Sequence, residues 1–289
     1  MTEPITRIVC GVDLDDPAEA HAAIHWSHRL AVLTGADHHL VGTTTPVSIE
    51  RSPDLLAELH RDALADLQSE SDPQDVRIHL HTATGGLVDA VQSLAREVNP
   101  DVVVVSSHQT EGLTPLGLSG VGHTLAHRLA VPVVAVPEFA GLLRHRTVVV
   151  GVDGSPVSAT ALAWAKFLAD AIEGRCCAVY SIAKIYDTFE SGDWFGPDER
   201  TVRDVIEADA DVELVERSGG DPAATLREVA EECDAGAVVV AARRRHSLGG
   251  TLLGAVPDHL LHHPRGPVVV LPYDFLTRFR SPAVAAEHG

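Results

Sequence analysis

The chain has 289 residues, with 41 Asp and Glu against 22 Lys and Arg, and a formal net charge of −19 at neutral pH. Such an acidic chain lacks the basic face that binds nucleic-acid phosphates or an anionic membrane, so we expect neither partner. A hydrophobic fraction of 45% is ordinary for a globular protein, and the length predicts two domains.

Short runs of valine and isoleucine alternate with helical patterns from the start of the chain. The patterns predict strands at 7–12, 38–44, 76–82, 101–106 and 131–136, and helices at 17–34, 53–69, 86–98 and 118–130. In the second half they predict strands at 147–152, 175–182, 211–216, 236–241 and 267–271. Continuous apolar runs are typical of parallel strands covered on both faces, so the alternation predicts parallel, doubly wound α/β modules.

The second half of the chain repeats the first. Residues 7–13 read RIVCGVD and residues 146–153 read RTVVVGVD, and the valine runs at 101–105 and 236–240 follow at about the same offset. Self-similarity at a fixed offset indicates duplicated structural units. We therefore predict two tandem modules, residues 1–140 and 141–289, with a short linker near Glu138–His145.

Several segments of the second half resemble the universal stress protein family in its tandem two-domain form. They are Gly151–Pro156 leading to Ala161–Ala165, Gly220–Pro222, and Leu252–Val256 continuing through His263 to Pro267–Val270. The resemblance covers nearly the whole chain. It implies two Rossmann-like modules, each a five-stranded parallel sheet flanked by helices. It also implies a pseudo-dimer in which strands 131–136 and 267–271 pair and cover an otherwise exposed edge. A homodimer of the chain is a further candidate assembly.

The resemblance also implies a nucleotide site, with ATP and AMP as candidate ligands. In ATP-binding members, an aspartate after the first strand meets the adenine end. The phosphates sit on a Gly-x-x-Gly, nine residues, and then Gly-Ser or Gly-Thr. Glycine amides can approach phosphate oxygens closely, and a helix N-terminus favours anions. The aspartate is present twice, as Asp13 and Asp153. For each, the alternative is that it only caps the turn after its strand.

The phosphate loop departs from the family pattern in both halves. Its two loop glycines align with Ser106 and Gln109 in the first half, and with Ala241 and Arg244 in the second; its Gly-Ser pair aligns with Ser119-Gly120 and with Gly254-Ala255. A side chain at a position that needs positive φ costs roughly 1–2 kcal/mol, and a lost hydroxyl donor about 1 kcal/mol. We therefore expect degenerate nucleotide sites.

An arginine run offers an alternative in the second module. Arg243, Arg244 and Arg245 occupy the position of the phosphate loop, where three guanidinium groups could hold an anion through side chains. The competing interpretation is a solvated loop that pairs with carboxylates. The alternative function is thus an ATP- or AMP-binding regulator with an arginine-rich loop.

Histidines on the first helix have a spacing that suits metal binding. His21, His25 and His28 fall at i, i+4 and i+7, which could hold Zn²⁺ or Ni²⁺. Ala23 and Ile24 serve the core face of this helix better. We therefore predict a solvated histidine stripe and no metal site.

The remaining histidines of interest lie on helices and strands elsewhere. The pairs His123/His127 and His259/His263 fall near the expected seam between the modules, where a protonation-sensitive interface is the alternative to a metal pair. Four more are strand residues with no evident partners: His38, His39, His79 and His81.

An aromatic-rich segment at 186–195 holds Tyr186, Phe189, Trp194 and Phe195. It is interpreted as a lid over the nucleotide site, as a surface for a partner, or as a loop packed on the protein's own flank.

Signatures of enzymes and of export are missing from the sequence. The only lysines are Lys166 and Lys184, neither in a Gly-x-x-x-x-Gly-Lys loop, and no Gly-x-Ser-x-Gly motif occurs. The N-terminal Met-Thr-Glu-Pro lacks a secretory pattern, and the four cysteines form no Cys-x-x-Cys pair. We expect a cytoplasmic, non-enzymatic stress-response regulator.

Overall fold

The computed structural model describes residues 4–44, 52–67, 76–107, 120–138, 146–182, 211–218, 220–242 and 253–279. Ten strands and eight helices fall in these ranges. The strands are β1 (Arg7–Asp13), β2 (Asp37–Thr44), β3 (Ile78–Thr84), β4 (Val102–Ser107), β5 (Val133–Pro137), β6 (Thr147–Val152), β7 (Arg175–Ile182), β8 (Val212–Ser218), β9 (Ala235–Ala241) and β10 (Val268–Leu271). The helices are α1 (Pro17–Thr34), α2 (Ser52–Leu67), α3 (Leu87–Val98), α4 (Val121–Arg128), α5 (Pro156–Ala171), α6 (Pro222–Glu232), α7 (Ala255–His262) and α8 (Tyr273–Leu276).

All ten strands belong to one sheet, in the order β3-β2-β1-β4-β5-β10-β9-β6-β7-β8. Each half contributes five parallel strands in the same internal order, which confirms the two predicted doubly wound modules. The halves join where β5 and β10 run antiparallel, with Val134 opposite Val269. The predicted pairing of the last strands is therefore confirmed, and it converts two sheet edges into an interior ladder.

Helices cover both faces of the sheet because strand side chains alternate between the faces. On β1, Ile8 and Cys10 point to the core under α1, α2 and α5, whereas Val9 points to the core under α3, α4, α6 and α7. Both cores continue across the junction of the modules. The three-layer arrangement explains why central strands such as β4 and β9 are apolar on both faces.

The glycine of the repeated Gly-Val-Asp segment allows a helix to approach the sheet. A Cβ atom on Gly11 would overlap the Val91 side chain of α3, and one on Gly151 would lie 3.0 Å from Leu226 of α6. These glycines therefore serve packing between helix and strand. Among the helices of the described ranges, none combines the length and the apolar character that crossing a membrane requires.

Side chains from both modules meet at the seam beside β5 and β10. The Trp26 indole on α1 is 1% exposed, and its Nε1 donates to the Gly236 carbonyl of β9 at 3.2 Å. On the opposite face, His123 Nε2 of α4 lies 3.0 Å from Asp258 Oδ1 of α7. The predicted position of the His123/His127 pair near the seam is thus confirmed.

The pKa of His123 reports on the contact between the modules, because this side chain meets Asp258 at the seam. Burial lowers the pKa of His123 below its usual 6.5, as do His127 and His262, while Asp258 acts in the opposite direction. We expect Asp258→Asn to lower this pKa further, because the carboxylate that stabilises the imidazolium is lost.

An NMR titration of the His123 ring protons in wild-type and variant protein measures this shift. Because the pKa of His123 is lower in the folded chain than in the unfolded chain, its contribution to the free energy of unfolding should decrease as the pH falls below 6.5. An unchanged or higher His123 pKa in Asp258→Asn would show that the two side chains do not pair in solution.

The prediction of a solvated histidine stripe on α1 is wrong for two of its three members. His25 is 1% exposed and His28 is 6% exposed, while His21 is half-buried. The sheet covers one side of α1 and α2 packs on another. The buried surface of α1 is therefore wider than the single face that its apolar residues indicate.

The strand histidines also have partners, contrary to expectation. His38 Nε2 lies 2.9 Å from Ser27 Oγ, inside the core. His39 Nδ1 lies 3.3 Å from His81 Nε2, and the His39 ring stacks on His79 with centroids 4.4 Å apart. Neighbouring strands bring these residues together, which sequence spacing does not reveal.

Candidate nucleotide site

The topology places one candidate crevice in each module. In doubly wound sheets, ligands bind at the carboxyl ends of the two strands where the strand order reverses. Those strands are β1 and β4 in the first module, and β6 and β9 in the second. Asp13 and Ser106 lie at the first pair of ends, and Asp153 and Ala241 at or beside the second. The structure therefore brings the predicted residues to equivalent positions.

Both aspartates hold the turn that follows their strand. Asp13 Oδ1 accepts a hydrogen bond from the Asp15 amide at 2.9 Å. Asp153 Oδ1 accepts from the Ser155 amide at 3.0 Å and from the Ser155 hydroxyl at 2.6 Å. Ser155 in turn caps α5. The turn-holding role is thus present for both side chains, and an adenine contact stays a prediction.

The phosphate loop would begin on a residue with a side chain in both modules. Ser106 is 2% exposed and still pairs with Val136 in the sheet. Ala241 pairs with Leu271, and the following Ala242 is fully buried. Backbone amides that stay in the sheet ladder cannot turn towards phosphate oxygens as a glycine loop does. The described start of each loop is therefore unlike a phosphate cradle.

Each of the two helices after the phosphate loops is preceded by a glycine at its N-cap. α4 follows Gly120 and α7 follows Gly254, and neither has a side-chain cap, whereas Asp16, Ser155 and Asp221 cap α1, α5 and α6. Gly254 has φ +96°, a conformation that favours glycine, and Ala255 is the exposed first residue of α7. In the second module, a glycine with positive φ therefore stands at the position aligned with the glycine of the Gly-Ser pair.

The charges at the two crevices differ. The turn after β1 carries Asp13, Asp15 and Asp16, and the Asp15 carboxylate accepts from the Thr44 hydroxyl at 3.3 Å. The corresponding turn after β6 carries only Asp153 before Gly154 and Ser155. Neighbouring carboxylates repel a polyphosphate. Among the described residues, the turn after β6 therefore repels a polyphosphate less than the turn after β1 does.

Some predicted residues lie outside the described residues. These are Gln109, Ser119, Arg243, Arg244 and Arg245, together with the aromatic segment 186–195. The arginine-rich alternative and the three interpretations of the aromatic segment therefore stay predictions.

Sequence reasoning missed one group of side chains. His28, His38 and His60 converge in the core of the first module, although they belong to α1, β2 and α2. The only sequence signal is the alternation of β2, which places His38 on the same face as the buried Leu40.

Comparison with known proteins gives the same family across nearly the whole chain. The sequence profile described as the universal stress protein family matches residues 4–137 and 144–272. Universal stress proteins of Mycobacterium tuberculosis and Mycobacterium bovis are 29% identical over 203 residues, which is 62% of this chain. The match spans 65% of the length of these curated relatives.

Solved structures with the same fold are more distant in sequence. A functionally unknown protein from Pseudomonas aeruginosa PAO1 superposes with a TM-score of 0.66 at 16% identity, covering 98% of each chain. A universal stress protein from Archaeoglobus fulgidus superposes with a TM-score of 0.60 at 17% identity, covering 92% of this chain and 96% of its own. At such identities the likeness concerns the fold.

Proposed function

Because the chain belongs to the universal stress protein family, we propose that it is a cytoplasmic, non-enzymatic stress-response regulator whose two nucleotide sites are degenerate. In this proposal the two modules, divided between residues 140 and 141, act as one unit through the shared sheet. The site residues would be those at the carboxyl ends of β1 and β4, and of β6 and β9.

One observation carries the proposal. Where the family pattern needs a glycine at the end of the fourth strand, this chain has Ser106 in the first module and Ala241 in the second, and both still pair within the sheet. A phosphate cradle needs free amides that face the ligand. The three carboxylates at the end of β1 and in the following turn also disfavour nucleotide binding, because they repel a polyphosphate.

A second candidate function is a working ATP or AMP site in the second module. It is favoured by Gly254, which has a positive φ and precedes α7 without a side-chain cap, at the position that the resemblance assigns to the glycine of the Gly-Ser pair. Arg243–Arg245 would then supply positive charge for the phosphates of a nucleotide in this acidic chain.

Native mass spectrometry of the freshly purified chain tests the proposal. A degenerate site predicts the mass of the polypeptide with no nucleotide adduct. A separate assay of ATP hydrolysis should show no turnover above a buffer blank. An adduct with the mass of ATP or AMP that is lost in Arg244→Ala would instead support the second candidate, and turnover would contradict the non-enzymatic assignment.

A further inference from the structure

Three histidines from three elements meet inside the first module. His28 of α1 is 6% exposed, His38 of β2 is fully buried and His60 of α2 is 8% exposed. One ring nitrogen of each lies within 4.8 Å of a ring nitrogen of the other two. We propose that His28, His38 and His60 form a binding site for a divalent first-row transition-metal ion, with Zn²⁺ as the expected occupant.

Each histidine has a buried ring nitrogen without a hydrogen-bond partner in the described part of the chain. These atoms are His28 Nδ1, His38 Nδ1 and His60 Nε2. Buried polar atoms in folded proteins nearly always have a partner, so three such atoms in one place call for an explanation. A metal ion held by these nitrogens would give each of them the partner that it lacks.

The hydrogen bonds of Ser27 fix which nitrogen His38 can offer. The Ser27 hydroxyl lies 2.8 Å from the Ala23 carbonyl and 3.0 Å from the Ile24 carbonyl, which can only accept, so its one proton is directed to them. Ser27 Oγ must therefore accept from His38 Nε2, 2.9 Å away. With the proton on Nε2, neutral His38 has its lone pair on Nδ1. This is the arrangement in which a second partner orients a metal-binding histidine.

Burial keeps the three rings neutral, as a metal ligand must be. It lowers the pKa of His28 to about 4, with His60 and His25 adding to the effect. It also lowers the pKa values of His38 and His60 below the usual 6.5. No proton therefore has to be displaced at neutral pH before a metal ion binds.

The spacing of the rings suits a single ion. Nitrogens 2.0–2.1 Å from a tetrahedral Zn²⁺ place neighbouring imidazole centroids about 5 Å apart. The His28 centroid lies 5.5 Å from that of His38 and 5.5 Å from that of His60, and the last two are 6.4 Å apart. Small side-chain adjustments of about 1 Å would complete the geometry and leave the fourth position to water.

The site is separate from the candidate nucleotide crevice. His38 is the second residue of β2 and so lies near its amino end, whereas Thr43, opposite Asp13, lies near its carboxyl end. At about 3.3 Å per residue, the two positions are roughly 16 Å apart. Metal binding is therefore independent of the proposed function, and either one can fail alone.

Zinc titration of the chelator-treated full chain, in competition with a chromophoric chelator, tests the proposal. We expect one tightly bound Zn²⁺ per chain. The variants His28→Asn and His60→Asn, near the rim of the site, should each lose more than about 100-fold in affinity, beyond the effect of an outer partner. Ser27→Ala should lose about 10–100-fold, since it removes only the partner of His38.

Three histidines of β2 and β3 that lie outside the core provide the matched control, with His39 and His81 half-buried and His79 exposed. A triple variant that changes His39, His79 and His81 to asparagine should keep the tight zinc ion, and far-ultraviolet circular dichroism should verify the fold of every variant. X-ray absorption at the zinc edge should show the pattern of three imidazole rings, with nitrogen ligands at 2.0–2.1 Å and a water oxygen as the fourth ligand. Absence of tight binding, or tight binding that survives His28→Asn and His60→Asn, overturns the site.

Discussion

Replacing Trp26 with alanine is expected to lower the free energy of unfolding by about 3–5 kcal/mol. The indole is 1% exposed and crosses the seam to donate to the Gly236 carbonyl. Its removal leaves a cavity in the core and a buried carbonyl without its donor. Urea denaturation of the full chain, monitored by far-ultraviolet circular dichroism, measures the change in the free energy of unfolding.

Two other tryptophan variants serve as comparisons, one for the lost hydrogen bond and one for the lost packing. Trp26→Phe keeps an aromatic ring but loses the donor, so it should be milder than the alanine variant. Trp164→Ala removes the equivalent tryptophan of the second module, which is 3% exposed and packs edge-on to Phe275. A similar loss is expected there. A loss below about 1 kcal/mol for Trp26→Ala would contradict a tightly packed seam.

Acidifying the chelator-treated protein from pH 7 to pH 5 is expected to remove about 2 kcal/mol of stability through His28 alone. Burial holds the pKa of His28 at about 4 in the folded chain, against 6.5 when exposed. Between these values the unfolded chain binds a proton that the folded chain does not. Stability therefore falls as the pH falls from 6.5 towards 4, and this group has little effect above 6.5.

Urea denaturation at pH 7, 6 and 5 measures the effect. Burial of His38 acts in the same direction, so the total loss should exceed that of His28. In His28→Gln the loss between pH 7 and pH 5 should be smaller than in the wild type. Equal stability of the wild type at pH 7 and pH 5 would show that these rings are not buried as neutral groups.

The fold was predictable because its signals are local and repeated. The valine runs that form β4 and β9 are buried on both faces, and such runs are distinctive of parallel strands. Because the module is duplicated, each of these patterns occurs twice in the chain. The pairing of β5 with β10 came from the resemblance to a family, since neither strand alone indicates its partner.

The buried histidines were not predictable for a physical reason. A helical pattern shows which residues share a side of α1, but not how many sides are covered. Here the sheet and α2 cover different sides, so His25 and His28 are buried beside the apolar face. His60 lies on another element, and only the tertiary fold brings it to His28.

The candidate nucleotide site was predictable in part. Its position at Asp13 and Asp153 follows from the repeated strand and from the doubly wound order. The turn-holding hydrogen bonds of both aspartates depend on backbone geometry that the sequence leaves open. Ser106 illustrates the same limit, because its burial and its place in the ladder emerge only from the structure.

Calorimetric titration of the purified chain with ATP, AMP and cyclic AMP tests the central claim most directly. Degenerate sites predict no saturable heat with a dissociation constant below about 1 mM, for any of the three nucleotides. A submillimolar dissociation constant for ATP or AMP that weakens in Arg244→Ala would contradict the claim and establish a working site in the second module.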